Sequence, residues 1–215
     1  MTDVTSCGMT VAARLRRVVR SAPFAVAQRL VSEDTADLIR CKLFPMNRHE
    51  ARRVLAALVA AAVPVVLAGG WGVDALVGEP RRRHADLDVI APPDSLPLVG
   101  STLAELGYQQ TVEGSEGGWW APDKIVFRHA AGGSIDLLLL TVAQWEPLVR
   151  RAETILGGPV DRAPVLGDVG GLAVPCLSAP LQLAACDGYA MNRDQRSDRR
   201  LLDRLARGSD REGRP

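Results

Sequence analysis

The stretch from Leu67 to Ile90, LAGGWGVDALVGEPRRRHADLDVI, constrains this chain more than any other. A short apolar strand ends in a Gly-Gly turn, a short helix opens at Trp71, a basic loop follows, and the next strand carries Asp86 and Asp88. Side chains alternate along a strand that rises about 3.3 Å per residue, so the two carboxylates share one face roughly 6–7 Å apart. That spacing suits one hard cation, or two side by side. The Gly69-Gly70 turn, set just before a helix, offers unpaired N–H groups and a positive dipole end to an anion such as phosphate. A pair of acids beside such a cradle suggests chemistry on a nucleoside triphosphate.

The flanking sequence reads as alternating helices and strands. Asn47 with Glu50 three residues on resembles a capping box, and Val54, Leu55, Leu58 and Val59 repeat at helical spacing until Pro64. Val65 to Ala68 is short and wholly apolar, as a buried strand is. Val73 to Val77 gives the short helix, stopped by Gly78 and Pro80, and Ala85 to Ile90 alternates with Leu87 and Val89 opposite the acids. Asp94 is placed to cap a helix through Leu106, closed by Gly107. Tyr108 to Val112 and Lys124 to His129 are further strands, and Ala131-Gly132-Gly133 turns the chain into Ser134 to Leu140 as a hairpin. That last strand is continuously apolar, hence central and covered on both faces, except for Asp136. Gly157 to Val174 is loop-rich with room for two short strands before Pro175. Ala179 to Met191 and Gln195 to Leu205 read as a helical hairpin, and 208–215 as a flexible tail.

The first 45 residues are the least patterned. Val11 to Arg20 and Phe24 to Arg40 can each be drawn as a helix, and Phe44-Pro45-Met46 reads as a boundary that would make residues 1–45 an extension. The rest divides into a core over 46–145 and a mostly helical part over 146–207. A chain of 215 residues supports one good core with at most a small appendage. The formal net charge of +1 gives no global field of the kind that marks a nucleic-acid binder. Cys7, Cys41, Cys176 and Cys186 lack the close pairs of a zinc site and fit a reducing cytoplasm. The most apolar run, Ala56 to Ala68, is too short for a membrane span, and the N-terminus has no signal layout, so a soluble intracellular protein is expected.

Each candidate residue has a plainer alternative. Asp86 and Asp88 could be two solvated acids on an edge strand, but Leu87, Val89 and Ile90 make that strand half buried, where unpaired carboxylates repel unless a cation sits between them. Asp136 is costly to bury unless paired or metal-bound; an arginine salt bridge is the alternative to a metal. Three acids on two strands beside a Gly-Gly turn form the ligand set of a two-metal phosphoryl-transfer site, with Asp136 as ligand or general base. Gly69 and Gly70 could serve only the tight turn. Arg82 or His84 could neutralise triphosphate charge, whereas Arg83 reads as solvated; His84 suits a phosphate or structural hydrogen bond better than Mg²⁺, which prefers oxygen. Of Trp119 and Trp120, one is expected to pack inward and the other to be available to a base or sugar.

The run Gly69-Gly70-Trp71, Asp74, Arg82, His84, Asp86 and Asp88 resembles the antibiotic nucleotidyltransferases, the aminoglycoside and lincosamide adenylyltransferases of the polymerase-beta-like superfamily. GGLAVPCLS, Gln182, Gly188-Tyr189 and Arg196-x-Asp198 resemble the family's C-terminal half, so the likeness covers about Met46 to Leu205. It implies an α/β (α+β) fold: a small mixed sheet flanked by helices, with a helical C-terminal part. It also implies Mg²⁺ as two ions, ATP as co-substrate, a small-molecule acceptor and pyrophosphate release. Asp86, Asp88 and Asp136 match the family's metal-binding acids, and Gly69 and Gly70 its phosphate-contacting turn. Leu138 replaces the usual His after the third acid, Gln195 the usual Asp before Arg196, and Ser178-Ala179-Pro180 the usual Ser-Pro-Glu; these changes bear on acceptor recognition.

An aminoglycoside, being polycationic, calls for an acidic pocket, and Glu113, Glu116, Asp123, Glu146 and Asp187 could supply one. Other readings stay open: a lincosamide acceptor, a glycosyltransferase using Asp-x-Asp alone, a protein- or tRNA-modifying relative of toxin–antitoxin type, or a non-catalytic nucleotide binder.

Overall fold

The computed structural model describes residues 45–111, 115–116, 119–121, 123–188 and 191–212. The helices expected over Val11–Arg20 and Phe24–Arg40, and Cys7 and Cys41, lie outside the described residues. Among those described, eight strands form one mixed sheet, flanked by six α-helices. The strands are β1 (Val66–Leu67), β2 (Asp86–Ala91), β3 (Tyr108–Gln110), β4 (Ser115–Glu116), β5 (Asp123–His129), β6 (Ser134–Leu139), β7 (Val165–Asp168) and β8 (Ala173–Cys176). Their order is β3-β5-β6-β2-β1-β8-β7, with β4 also on β5. β2 runs parallel to β6 and β1 to β8, and the other neighbours are antiparallel. The continuously apolar β6 is central and buried along its whole length, as its composition predicts. The last two strands join this same sheet, so the residues after 146 complete it. Pro175 lies inside β8 rather than after it. β1 meets β8 only at the Leu67–Cys176 pair, which asks no ladder bond of the proline.

The helices are α1 (Arg48–Ala60), α2 (Gly69–Val77), α3 (Leu96–Glu105), α4 (Val142–Leu156), α5 (Ala179–Ala185) and α6 (Arg193–Glu212). At α1, Asn47 caps as expected, its Oδ1 accepting from the Glu50 N–H at 3.0 Å. Glu50 does not complete the capping box. Its carboxylate takes Arg53 at 2.7 Å and the Tyr108 hydroxyl at 2.8 Å, tying α1 to β3. The Arg53 hydrogen bond is the chief reason Glu50 is held below its ordinary carboxylate pKa. Met46, at the predicted boundary, is buried in the core and donates its N–H to the His84 carbonyl at 2.9 Å. Asp94 sits within a 3-10 turn, Pro93–Ser95, and makes no cap hydrogen bond to α3. α5 ends at Ala185, short of the expected Met191, while α6 continues past Gly208 to Glu212. Asn192 and Gln195 exchange side-chain-to-backbone bonds of 2.9 Å, which gives Gln195 a capping role. No helix among the described residues is long and apolar enough to cross a membrane.

Strand alternation sorts the core into two layers. Leu87, Val89 and Ala91 of β2, with Ile135, Leu137 and Leu139 of β6, pack with Val54, Leu55 and Leu58 of α1 and Leu103 of α3. On the opposite face Ile90 and Leu138 pack with Leu148 of α4, Leu181 of α5 and Trp120. Asp86, Asp88 and Asp136 stand on that second face, at the ends of the strands that precede the apolar residues.

Candidate active site

The three acids are brought together by register. Parallel pairing sets Asp88 beside Asp136 and Asp86 beside Ser134, and the next step along the same face is the buried Ile90–Leu138 pair. The acids therefore occupy the edge of an apolar layer. Burial first, then the charges of Asp86 and Asp136, push the Asp88 carboxyl well above its ordinary pKa. Asp136 is buried, and its partner is a lysine rather than the arginine considered from sequence: Lys124 Nζ lies 2.8 Å from Oδ2. The Ser134 hydroxyl donates to Oδ1 at 3.4 Å. Burial disfavours the Lys124 ammonium, but the charge and hydrogen bond of Asp136, with Asp88 and Asp86 behind it, outweigh this and raise its pKa.

The Gly-Gly segment is the first turn of α2, which opens at Gly69, two residues earlier than its apolar pattern indicates. Gly69 has φ +59°, and a Cβ there would lie 1.9 Å from Asp88 Oδ2. A Cβ on Gly70 would lie 2.2 Å from His84 Nδ1 and 2.7 Å from Arg82 Nη2; one on Gly72 would lie 2.5 Å from Gln182 Nε2. The bare backbone of GGWG is thus the surface against which Asp88, His84, Arg82 and Gln182 pack. Placing a carboxylate at the start of a helix also suits the dipole.

His84 is buried, with Nε2 2.6 Å from Asp74 Oδ2 and its ring against Trp71 at 4.8 Å. It pins the basic loop to α2, the structural option left open for it. Arg82 donates from Nε to Asp198 Oδ2 at 2.8 Å, and Arg81 reaches Oδ1 at 3.4 Å. Asp198, which the sequence allows either on a charged helix face or closing over the nucleotide or acceptor, is buried and fastens α6 over the basic loop. Arg83 is exposed. Sequence reasoning missed Lys124 as a site residue, and missed Asp74 and Asp198 as the partners of His84 and Arg82.

Trp120 packs inward and Trp119 is exposed; they donate to the carbonyls of Ala185 and Asp187, at and just beyond the end of α5. The anticipated acidic acceptor pocket is not free where it can be seen. Asp187 is held by Arg151 and Arg199, and Glu146 by Arg150 and Arg162. Glu113 and Tyr189, and the side chains of Glu116 and Asp123, lie outside the described residues.

All seven residues singled out from sequence, Gly69, Gly70, Arg82, His84, Asp86, Asp88 and Asp136, converge on one corner of the sheet. Among the described residues no three His, Cys, Asp or Glu side chains form a ready-made ion cage, and Asp136 is turned to Lys124. The donor set nevertheless fits a hard divalent cation: three carboxylates brought together with no soft ligand among them.

The family described as aminoglycoside-2''-adenylyltransferase matches residues 50–202. A lincosamide resistance protein of Staphylococcus haemolyticus is 25% identical over 134 residues, which are 61% of this chain and 79% of that one. A 2''-aminoglycoside nucleotidyltransferase of Escherichia coli is 29% identical over 96 residues, 38% of this chain and 54% of that one, so the match spans about half of that relative. Among solved structures, the lincosamide antibiotic adenylyltransferase LnuA, lincomycin-bound, superposes with TM-score 0.56 at 23% identity, covering 74% of this chain and 98% of that one. ANT(2'')-Ia in complex with adenylyl-2''-tobramycin superposes with TM-score 0.54 at 17% identity, covering 76% and 91%. Both bear out the fold.

Proposed function

Because this chain belongs to the aminoglycoside-2''-adenylyltransferase family, we propose that it transfers AMP from ATP to a hydroxyl of a small antibiotic acceptor and releases pyrophosphate. The observation that carries the reading is the register of Asp88 on Asp136 with Asp88 packed on Gly69. It brings three carboxylates to the first turn of a helix, where a triphosphate has N–H donors to meet.

Asp86 and Asp88 would hold Mg²⁺, with Asp136 as a third ligand or as the base that takes the acceptor proton. Two bound ions would neutralise the triphosphate and lower the pKa of the acceptor hydroxyl. The Gly69 and Gly70 N–H groups would meet the phosphates, and Arg82, held by Asp198, would add positive charge there. His84 sets the loop through Asp74. The acceptor oxygen bonds to the α-phosphorus, the bond from that phosphorus to the bridging oxygen breaks, and pyrophosphate leaves. Dependence on ATP suits a cytoplasmic protein.

We assign the acceptor to the aminoglycosides. A lincosamide is the second reading, favoured by the pairing of Glu146 and Asp187 with arginines, which leaves less acid for a polycation. Pyrophosphate release from Mg·ATP, measured against panels of both classes and against buffer, tests the proposal. Release with one class fixes reaction and acceptor. Silence with ATP still bound overturns a small-molecule acceptor and points to a protein, a tRNA or a non-catalytic binder.

Asp198→Asn tests the placement of Arg82. Losing a charged partner leaves the guanidinium less fixed, so KM for ATP should rise about three- to tenfold with a smaller change in kcat. Steady-state kinetics with ATP varied will show this; an unchanged KM removes Arg82 from phosphate binding.

A further inference from the structure

The acid cluster carries its own cation. Lys124 lies on β5, two residues along from Val126, the residue paired with Asp136, and its side chain reaches back to place Nζ 2.8 Å from Asp136 Oδ2. It is about three-quarters covered, and it faces Asp88 and Asp86 as well. Ser134 also contacts Asp136, while Arg82, though near enough to influence Asp88, is committed to Asp198.

We propose that Lys124 is a built-in counter-ion that occupies the third acid in the metal-free protein and competes with divalent cation for it. This rests on the metal-binding reading above. A charge held next to the acids serves two ends. It keeps three neighbouring carboxylates from repelling one another when no metal is bound. It also weakens free Mg²⁺ at the site, because the ion must share Asp136 with an ammonium or displace it. Metal then binds best together with a triphosphate, whose negative charge offsets the lysine. Lys124 is a positioning residue in this scheme, acting through Asp136.

Thermal unfolding of the full chain in EDTA and across a MgCl₂ titration, without nucleotide, separates the possibilities for wild type, Lys124→Met and Lys124→Arg. Lys124→Met should unfold at lower temperature in EDTA yet bind Mg²⁺ about tenfold more tightly, with a larger rise in Tm on adding metal. Lys124→Arg, which keeps the charge, should stay near wild type. If Lys124→Met does not fold, Lys124→Gln is the neutral substitute, with the same expectation. Mg²⁺ affinity that is unchanged or weaker in the neutral variant, while wild type responds to Mg²⁺, overturns the competition and leaves the metal reading standing. No response to Mg²⁺ in any of the proteins overturns the metal reading and this proposal with it.

Discussion

Asp88→Asn should lower turnover about 1,000-fold, equivalent to about 4 kcal/mol of barrier, while leaving the metal-free protein at least as stable as wild type. The two effects come from one cause. Asp88 is half-buried beside Asp86 and Asp136, and desolvation together with those two charges disfavours its ionised form in the folded state. Asparagine keeps the shape and removes the repulsion, but it also removes an anionic ligand. The sign of the pH dependence follows. A carboxyl whose folded pKa lies above its unfolded value favours folding below the unfolded pKa, about 3.9 for Asp, and this contribution is lost as pH rises through the folded value. The Asp88 contribution to the stability of wild type in EDTA should therefore fall on going from acid toward neutral pH, and Asp88→Asn should lack that component. Denaturation across pH in EDTA, with pyrophosphate assays beside it, checks both halves. Full activity in Asp88→Asn, or a variant markedly less stable than wild type in EDTA, would remove Asp88 from the proposed metal site.

Much of this corner could be read from the sequence because strand alternation and register are written in residue order. Leu87 and Val89 fix which face Asp86 and Asp88 take, and the apolar run around Asp136 fixes a central strand. Once the hairpin turn at Ala131-Gly132-Gly133 is placed, Lys124 falls on the acid face of β5 as well, so its signal was present. A lysine at the start of a strand is ordinarily solvated, which masks that signal. Asp198 is different in kind. It lies more than a hundred residues from Arg82, and nothing local distinguishes it from the other charges on α6. The helix α2 starts earlier than its sequence suggests because glycine is a poor helix former, and here tertiary packing overrides that preference. β7 and β8 were legible as short strands but not as neighbours of β1, since pairing across so long a separation leaves no local mark.

The Gly-Gly segment yields the sharpest comparison, because glycine is demanded at two positions for different reasons. Gly69 and Gly78 open and close the α2 region, both with positive φ, at +59° and +77°. Alanine at either pays for a left-handed backbone, about 1–2 kcal/mol. Gly78 has no atom within 4 Å of a would-be Cβ, so Gly78→Ala should lower Tm by a few degrees and leave turnover alone. At Gly69 the Cβ would fall 1.9 Å from Asp88 Oδ2, a separation that no side chain can tolerate without moving. Asp88 can move only by leaving the helix start and its place beside Asp136. Gly69→Ala should therefore cost about 100-fold or more in kcat/KM beyond any loss of stability, because a displacement of about 1 Å at a reacting site is worth that much. Parallel melts and initial rates on the two variants make the test. Equal losses of activity would mean that Gly69 serves the turn alone. A loss confined to Gly69→Ala would mean that the glycine is there to let Asp88 rest against the helix.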